Sequence, residues 1–189
     1  MKIQEYSYRF AKEILQHPNY VSIYDEIITI SQNCPLPYYP GKSKKQKKLD
    51  IVQQMINTYF KLAFETMGWE SEPLATPEYN EDALRSDFRK TFQNMGGEDV
   101  TVQIEVEMGN AASSYRNYFK FQLSYSYDLT NICVIILPST QLSKRIDSGV
   151  ASFEKTVREI PSAKLSVTVP TLVIGLDDTL EPLWNVRAI

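Results

Sequence analysis

Residues 100–110, VTVQIEVEMGN, alternate strictly. Val100, Val102, Ile104, Val106 and Met108 fall on one face, and Thr101, Gln103, Glu105 and Glu107 on the other. A period of two marks a half-buried strand. Glu105 and Glu107 then stand on one line, about 7 Å apart at Cα for a rise of about 3.4 Å per residue. Two neighbouring carboxylates repel each other. A divalent cation relieves that repulsion, because Mg2+ takes oxygen ligands and needs only one or two carboxylates. A solvated acidic face relieves it as well, so the flanking residues decide.

Downstream, SSYRNYFKFQLSY at 113–125 has helical spacing, with Tyr115, Phe119 and Leu123 on one face and Ser113 placed to cap its start. ICVIIL at 132–137 is wholly apolar and ends at Pro138, which predicts a strand buried on both faces. A helix over 142–160 follows, stopped by Pro161, and TLVIGL at 171–176 is a second buried strand. Upstream, residues 84–90 form a short strand candidate carrying Asp87. The chain turns through Met95-Gly96-Gly97, so this strand pairs antiparallel with 100–108 and brings Asp87 near Glu105 and Glu107. Further back, 69–83 is an acidic loop, 49–67 a long helix ended by Gly68, and CPLPYYPG at 34–41 a proline loop. A helix over 21–31 presents Ile23, Ile27 and Ile30. Ile3, Tyr6, Phe10 and Ile14 predict another over 2–16. The pattern is an α/β fold, a central mixed β-sheet flanked by helices. It makes one domain over 1–189 without internal repeats.

The chain has 189 residues, enough for one substantial core, with 43% hydrophobic and 23% charged residues. No apolar stretch approaches the length of a membrane span. There is no secretion signal, and the chain reads as cytoplasmic. Cys34 and Cys133 support neither a disulfide framework nor a zinc site. His17, the one histidine, stands before Pro18 where a helix is expected to end and has nothing else to form a triad with, so proton transfer is expected to use carboxylates, Lys, Tyr or water. The net charge of −3 does not announce a nucleic-acid binder. Positive charge is local: GKSKKQKK at 41–48 holds five lysines, among them Lys44 and Lys45. Such a run is either a solvated loop or a phosphate contact.

The stretch EVEMGNAASSYR at 105–116 resembles the active-site strand and following helix of the BamHI-like type II restriction endonucleases, the group that includes BglII and BstYI. The likeness extends through 132–154 and 171–176. Upstream it takes in Ser86-Asp87-Phe88 and the loop Gly68-Trp69-Glu70-Ser71-Glu72-Pro73, covering about residues 55–176. It implies a restriction-endonuclease-like (PD-(D/E)xK-type) core that hydrolyses phosphodiesters in double-stranded DNA with Mg2+. The enzyme would act as a homodimer on a palindrome built on GATC, with a companion DNA methyltransferase in the same system. By resemblance, Asp87, Glu105 and the Val106 carbonyl hold metal. Glu107 is the general base or water orienter. Glu72 is the supporting acid, with Glu70 as the alternative. Many nucleases of this fold have Lys where Glu107 stands, and this chain departs from them there. Asn110, Ser113 and Arg116 would face bases or phosphates, although Arg116 reads equally as a surface residue in a salt bridge. Ser148-Gly149 replaces an Asp-Arg pair of BamHI, and Ala112 a serine, so the outer base pair would be read differently. The helices at 113–127 and 148–160 are the expected dimer interface.

Three other readings stay open: another nuclease on the same core, a catalytically inactive DNA-binding protein, and an α/β interaction domain without a DNA role. Salt-sensitive DNA binding separates the last from the others.

Overall fold

The computed structural model describes residues 1–78, 83–93, 97–163, 166–179 and 183–188, without the side chains of Ser113 and Ala188. The Met95-Gly96 part of the predicted turn lies outside the described residues. The elements in chain order are β1 (Lys2–Tyr8), α1 (Ala11–Leu15), α2 (Val21–Gln32), β2 (Leu36–Tyr38), α3 (Gln53–Thr66), β3 (Glu70–Ser71) and β4 (Phe88–Phe92). They continue with β5 (Val100–Val106), α4 (Ala111–Ser126), β6 (Ile132–Pro138), α5 (Thr140–Ile146), α6 (Phe153–Glu159), β7 (Thr171–Asp177) and β8 (Leu183–Asn185).

Six strands form one mixed sheet in the order β1-β7-β6-β5-β4-β3. Its centre is the parallel trio β5, β6 and β7, while β1, β4 and β3 join antiparallel. β6 is buried along its whole length, as its unbroken apolar run requires. On one face Val102, Ile104, Val134, Ile136 and Ile174 pack with Ile23 and Ile27 of α2 and Phe60 and Phe64 of α3. On the other, Cys133, Ile135 and Val173 meet Tyr118 and Phe121 of α4 and Phe153 of α6. Each such aliphatic side chain contributes about 1.5–3 kcal/mol on burial. The expected central mixed sheet flanked by helices is present.

Several local expectations are corrected. The segment 2–16 is not one helix but strand β1, a turn at Arg9 and Phe10 with φ of 54° and 62°, and the short α1. Met1, just before β1, and Ile3 join one face of the core, and Tyr6 and Tyr8 the other. An edge strand covered on both sides shows no clean alternation, and its spacing imitates a helix. The helix over 142–160 is two helices, because Gly149 takes φ 78° and residues 149–151 pair back to 109–111. The strand carrying Asp87 begins one residue after it, at Phe88, which faces Ile104 in register. Helix α4 buries Ser114, Asn117, Tyr118, Phe121 and Ser124, and leaves Tyr115 and Phe119 exposed at 51% and 61%. Its N-cap is Asn110, whose Oδ1 accepts from the Ala112 N–H at 2.8 Å, not Ser113. β5 is not half-buried: α4 covers its polar face, and Gln103 and Glu105 are enclosed.

Candidate active site

The acids gather at the C-terminal end of β5. Asp87 stands where the chain enters β4, and its Oδ2 accepts the Val106 N–H at 2.7 Å. Pairing of β4 with β5 sets that distance, since the next residue, Phe88, is opposite Ile104. Glu72 follows β3 with φ 55°, and its N–H donates to the Asp87 carbonyl at 2.9 Å. Its own carbonyl accepts from Arg85 Nη1 at 2.7 Å. Glu72, Asp87 and Val106 line a cleft of about 170 Å³ together with Ser71, Asn57 and Lys61. Glu70, the alternative acid, lies in β3 opposite Arg89 and does not line this cleft.

Glu105 is buried on the α4 side of β5. Its Oε2 accepts from the Lys120 ammonium of α4; its Oε1 makes no hydrogen bond of normal geometry, and the nearby Ser86 hydroxyl favours the charged form. The paired side chains are 2% and 11% exposed. Burial, and then the charge of Asp87, pushes the Glu105 carboxyl up to about 8, against the pull of Lys120. Asp87 is also raised by burial, opposed by the Val106 N–H and Lys120.

Glu107 follows the same strand, but its carboxylate engages the fold. Oε1 accepts the Gly109 N–H at 2.8 Å and Oε2 accepts Asn117 Nδ2 at 3.1 Å. It does not line the cleft with Asp87 and Glu72. Lys120 escaped the sequence reading. Its signal was its place one helical step from Asn117 and Ser124, which put it beside the buried stripe of α4.

The expected DNA-reading residues are partly brought together. The Ala111 N–H donates to the Gly149 carbonyl at 2.8 Å, the Ala151 N–H to the Gly109 carbonyl at 3.0 Å, and Asn110 bridges Val150. Asn110 and Ser148-Gly149 therefore share one exposed edge. Arg116 is exposed on α4 and makes no ion pair among the described residues. The Ser113 side chain lies outside the described residues. Ser148 and Gly149 also line a groove with Lys48 and Lys144. The lysine loop is docked there rather than loose: Lys42 Nζ donates to the carbonyls of Ile51 and Ile146 at 2.6 and 2.9 Å. Arg145 grips Asp50 at 2.9 Å and Asp178 at 2.6 Å. Lys42 is thereby a tether, whereas Lys44 and Lys45 are exposed.

Among the solved structures that this architecture matches are two of the same enzyme. One is restriction endonuclease BglII complexed with a DNA 16-mer, with a TM-score of 0.73 at 18% identity over 93% of this chain and 78% of that one. The other is free BglII, with a TM-score of 0.61 at 17% identity over 93% and 79%. The fold is thus that of a restriction-type deoxyribonuclease. A family model described as restriction endonuclease BglII/BglIII matches residues 3–176, and the chain belongs to that family. A comparison with curated protein sequences finds no match. Among the described residues, no helix is long and apolar enough to cross a membrane.

Proposed function

We propose that this protein is a Mg2+-dependent homodimer that cuts both strands of double-stranded DNA at a palindrome built on GATC. The observation that carries the reading is the pair of acids at the end of β5, Glu105 buried and Asp87 half-buried at the cleft. Asp87 is latched to the Val106 N–H, and Glu105 beside it keeps one oxygen without a hydrogen bond of normal geometry.

These residues fit a divalent cation. Among the described residues no three acidic, His or Cys side chains form a cage. Mg2+ does not require one, because water and phosphate oxygens complete its shell. Asp87, Glu105 through Oε1, and the Val106 carbonyl would hold it. When bound, the ion supplies Lewis acidity toward the scissile phosphate. The chain's own part is to fix the acids: the Val106 N–H orients Asp87, and Lys120 holds the second oxygen of Glu105. Glu72 lends negative charge from the cleft wall. Asn110, Ser113, Arg116 and Ser148-Gly149 read the site, and Lys44 and Lys45 contact the phosphate backbone. The exposed Tyr115 and Phe119 support dimerisation through α4, since a palindrome is matched by a two-fold protein.

Digestion of a plasmid of known sequence with Mg2+ tests this, with Glu105→Ala alongside. Discrete fragments whose ends map to one palindrome, lost in the variant, are the expected result. A smear unchanged by the variant refutes it.

A further inference from the structure

We propose that Glu107 is a positioning residue for sequence discrimination, fastening the DNA-reading edge to the strand that carries the catalytic acids. The inference rests on the restriction reading above and departs from the general-base role that the resemblance implies for this position.

One residue joins three parts of the molecule, β6, the turn at Gly109 and α4. The Glu107 N–H donates to the Ile136 carbonyl of β6 at 2.9 Å, so its main chain still belongs to the sheet. Its Oε1 closes a tight turn onto the Gly109 N–H at 2.8 Å. Its Oε2 takes Asn117 Nδ2 at 3.1 Å, from the second turn of α4. Glu107 and Asn117 are 8% and 6% exposed, so solvent competes little for either bond. The turn being held is the one laced to the other reading segment, through the Gly109 carbonyl to Ala151 and the Ala111 N–H to Gly149.

A general base must come within reach of the proton it takes. The Glu107 oxygens instead meet donors of the turn and of α4. The same residue follows Val106, whose N–H orients Asp87. A base pair that fits at Asn110 and Ser148-Gly149 holds residues 109–111 still, and Glu107 carries that constraint to the end of β5. A base pair that does not fit displaces the turn, and the acids lose their alignment. A misplacement of about 1 Å is enough to cost roughly a hundredfold in rate.

The test uses Glu107→Gln, Glu107→Ala and Asn117→Ala in the full chain. Glu107→Gln keeps an oxygen for Gly109, and Asn117 can rotate to meet the new amide. Asn117→Ala leaves the carboxylate in place. Single-turnover cleavage is measured on the palindrome found by digestion and on single-base-pair variants of it. Amide exchange is measured by mass spectrometry on the free proteins. The proposal expects Glu107→Gln to stay within about tenfold of the wild-type rate. It expects Asn117→Ala to lose discrimination at least about tenfold, with exchange at 109–111 and 149–151 accelerating together while β6 is unmoved. The proposal is overturned if Glu107→Gln is as inactive as Glu107→Ala while Asn117→Ala keeps full discrimination. It is equally overturned if exchange in the two segments does not move together. Absence of cleavage by the wild type would refute the restriction reading, and the exchange result would still decide the coupling.

Discussion

Lys120→Met removes the cation from a buried carboxylate, and its effect on stability should depend on pH. Glu105 is 2% exposed and Lys120 11%, so neither group is screened by bulk water. Stranding a buried charge costs about 3–5 kcal/mol when the remaining group stays ionised. Glu105 need not stay ionised, because burial and Asp87 hold it at about 8 even with Lys120 present. Its folded value lies above the ordinary carboxylate value, so the folded state binds more protons than the unfolded one. Stability linked to this group is therefore present at low pH and lost as pH rises from about 4.5 to about 8. Lys120 lowers the Glu105 value, and its removal pushes the value higher. The wild type stops losing stability near pH 8, and the variant continues. Each unit of added shift is worth about 1.4 kcal/mol. The gap between the two proteins should thus be smallest at pH 6 and wider by about 1 kcal/mol, at most about 1.4, at pH 9. Urea denaturation in EDTA at pH 6, 7.5 and 9 measures it. A gap that is constant, or that narrows as pH rises, refutes the reasoning.

Three further outcomes are expected. Gly175→Ala places a Cβ 2.6 Å from the Phe153 ring, forcing Phe153 off its site; thermal denaturation should show a loss of about 1–3 kcal/mol. Lys44→Ala with Lys45→Ala should leave the melting temperature unchanged, weaken DNA binding, and lower the slope of log affinity against log salt by about 2. Tyr115→Ser with Phe119→Ser, at positions already exposed in one chain, should shift sedimentation from dimer to monomer and abolish double-strand cutting without unfolding the protein.

The parallel centre of the sheet was legible because its information is local. The ICVIIL run of β6 and the TLVIGL run of β7 are apolar whichever neighbour covers them. β1 was not legible, because its state is decided by a partner at the far end of the chain: Lys2 pairs with Asp177 and Tyr8 with Thr171. The face of α4 was misjudged for a related reason. Its large aromatics Tyr115 and Phe119 point outward, and the inward positions include Ser114, Asn117 and Ser124. Asn117 is buried there because it meets the Glu107 carboxylate, while Ser114 and Ser124 donate to the main-chain carbonyls of Ala111 and Ala75, pairings that a hydrophobic count cannot register. The closeness of Asp87 to Glu105 was expected from the antiparallel pairing of their strands, and the charge of Asp87 acts on Glu105 as that pairing requires. The direction of the Glu107 side chain follows from the turn at Gly109, and turn geometry is not written in a period of two.

The acids at this site also explain why a strand with two carboxylates can lie beneath a helix. Burying an ionised carboxylate without partners is prohibitive, and each acid here meets a different donor. Asp87 meets a main-chain N–H, Glu105 an ammonium, and Glu107 a main-chain N–H and an amide. The compensation is nevertheless incomplete at one atom, Oε1 of Glu105. That acid feels Asp87 and Lys120 in opposite senses, the one raising and the other lowering its pKa.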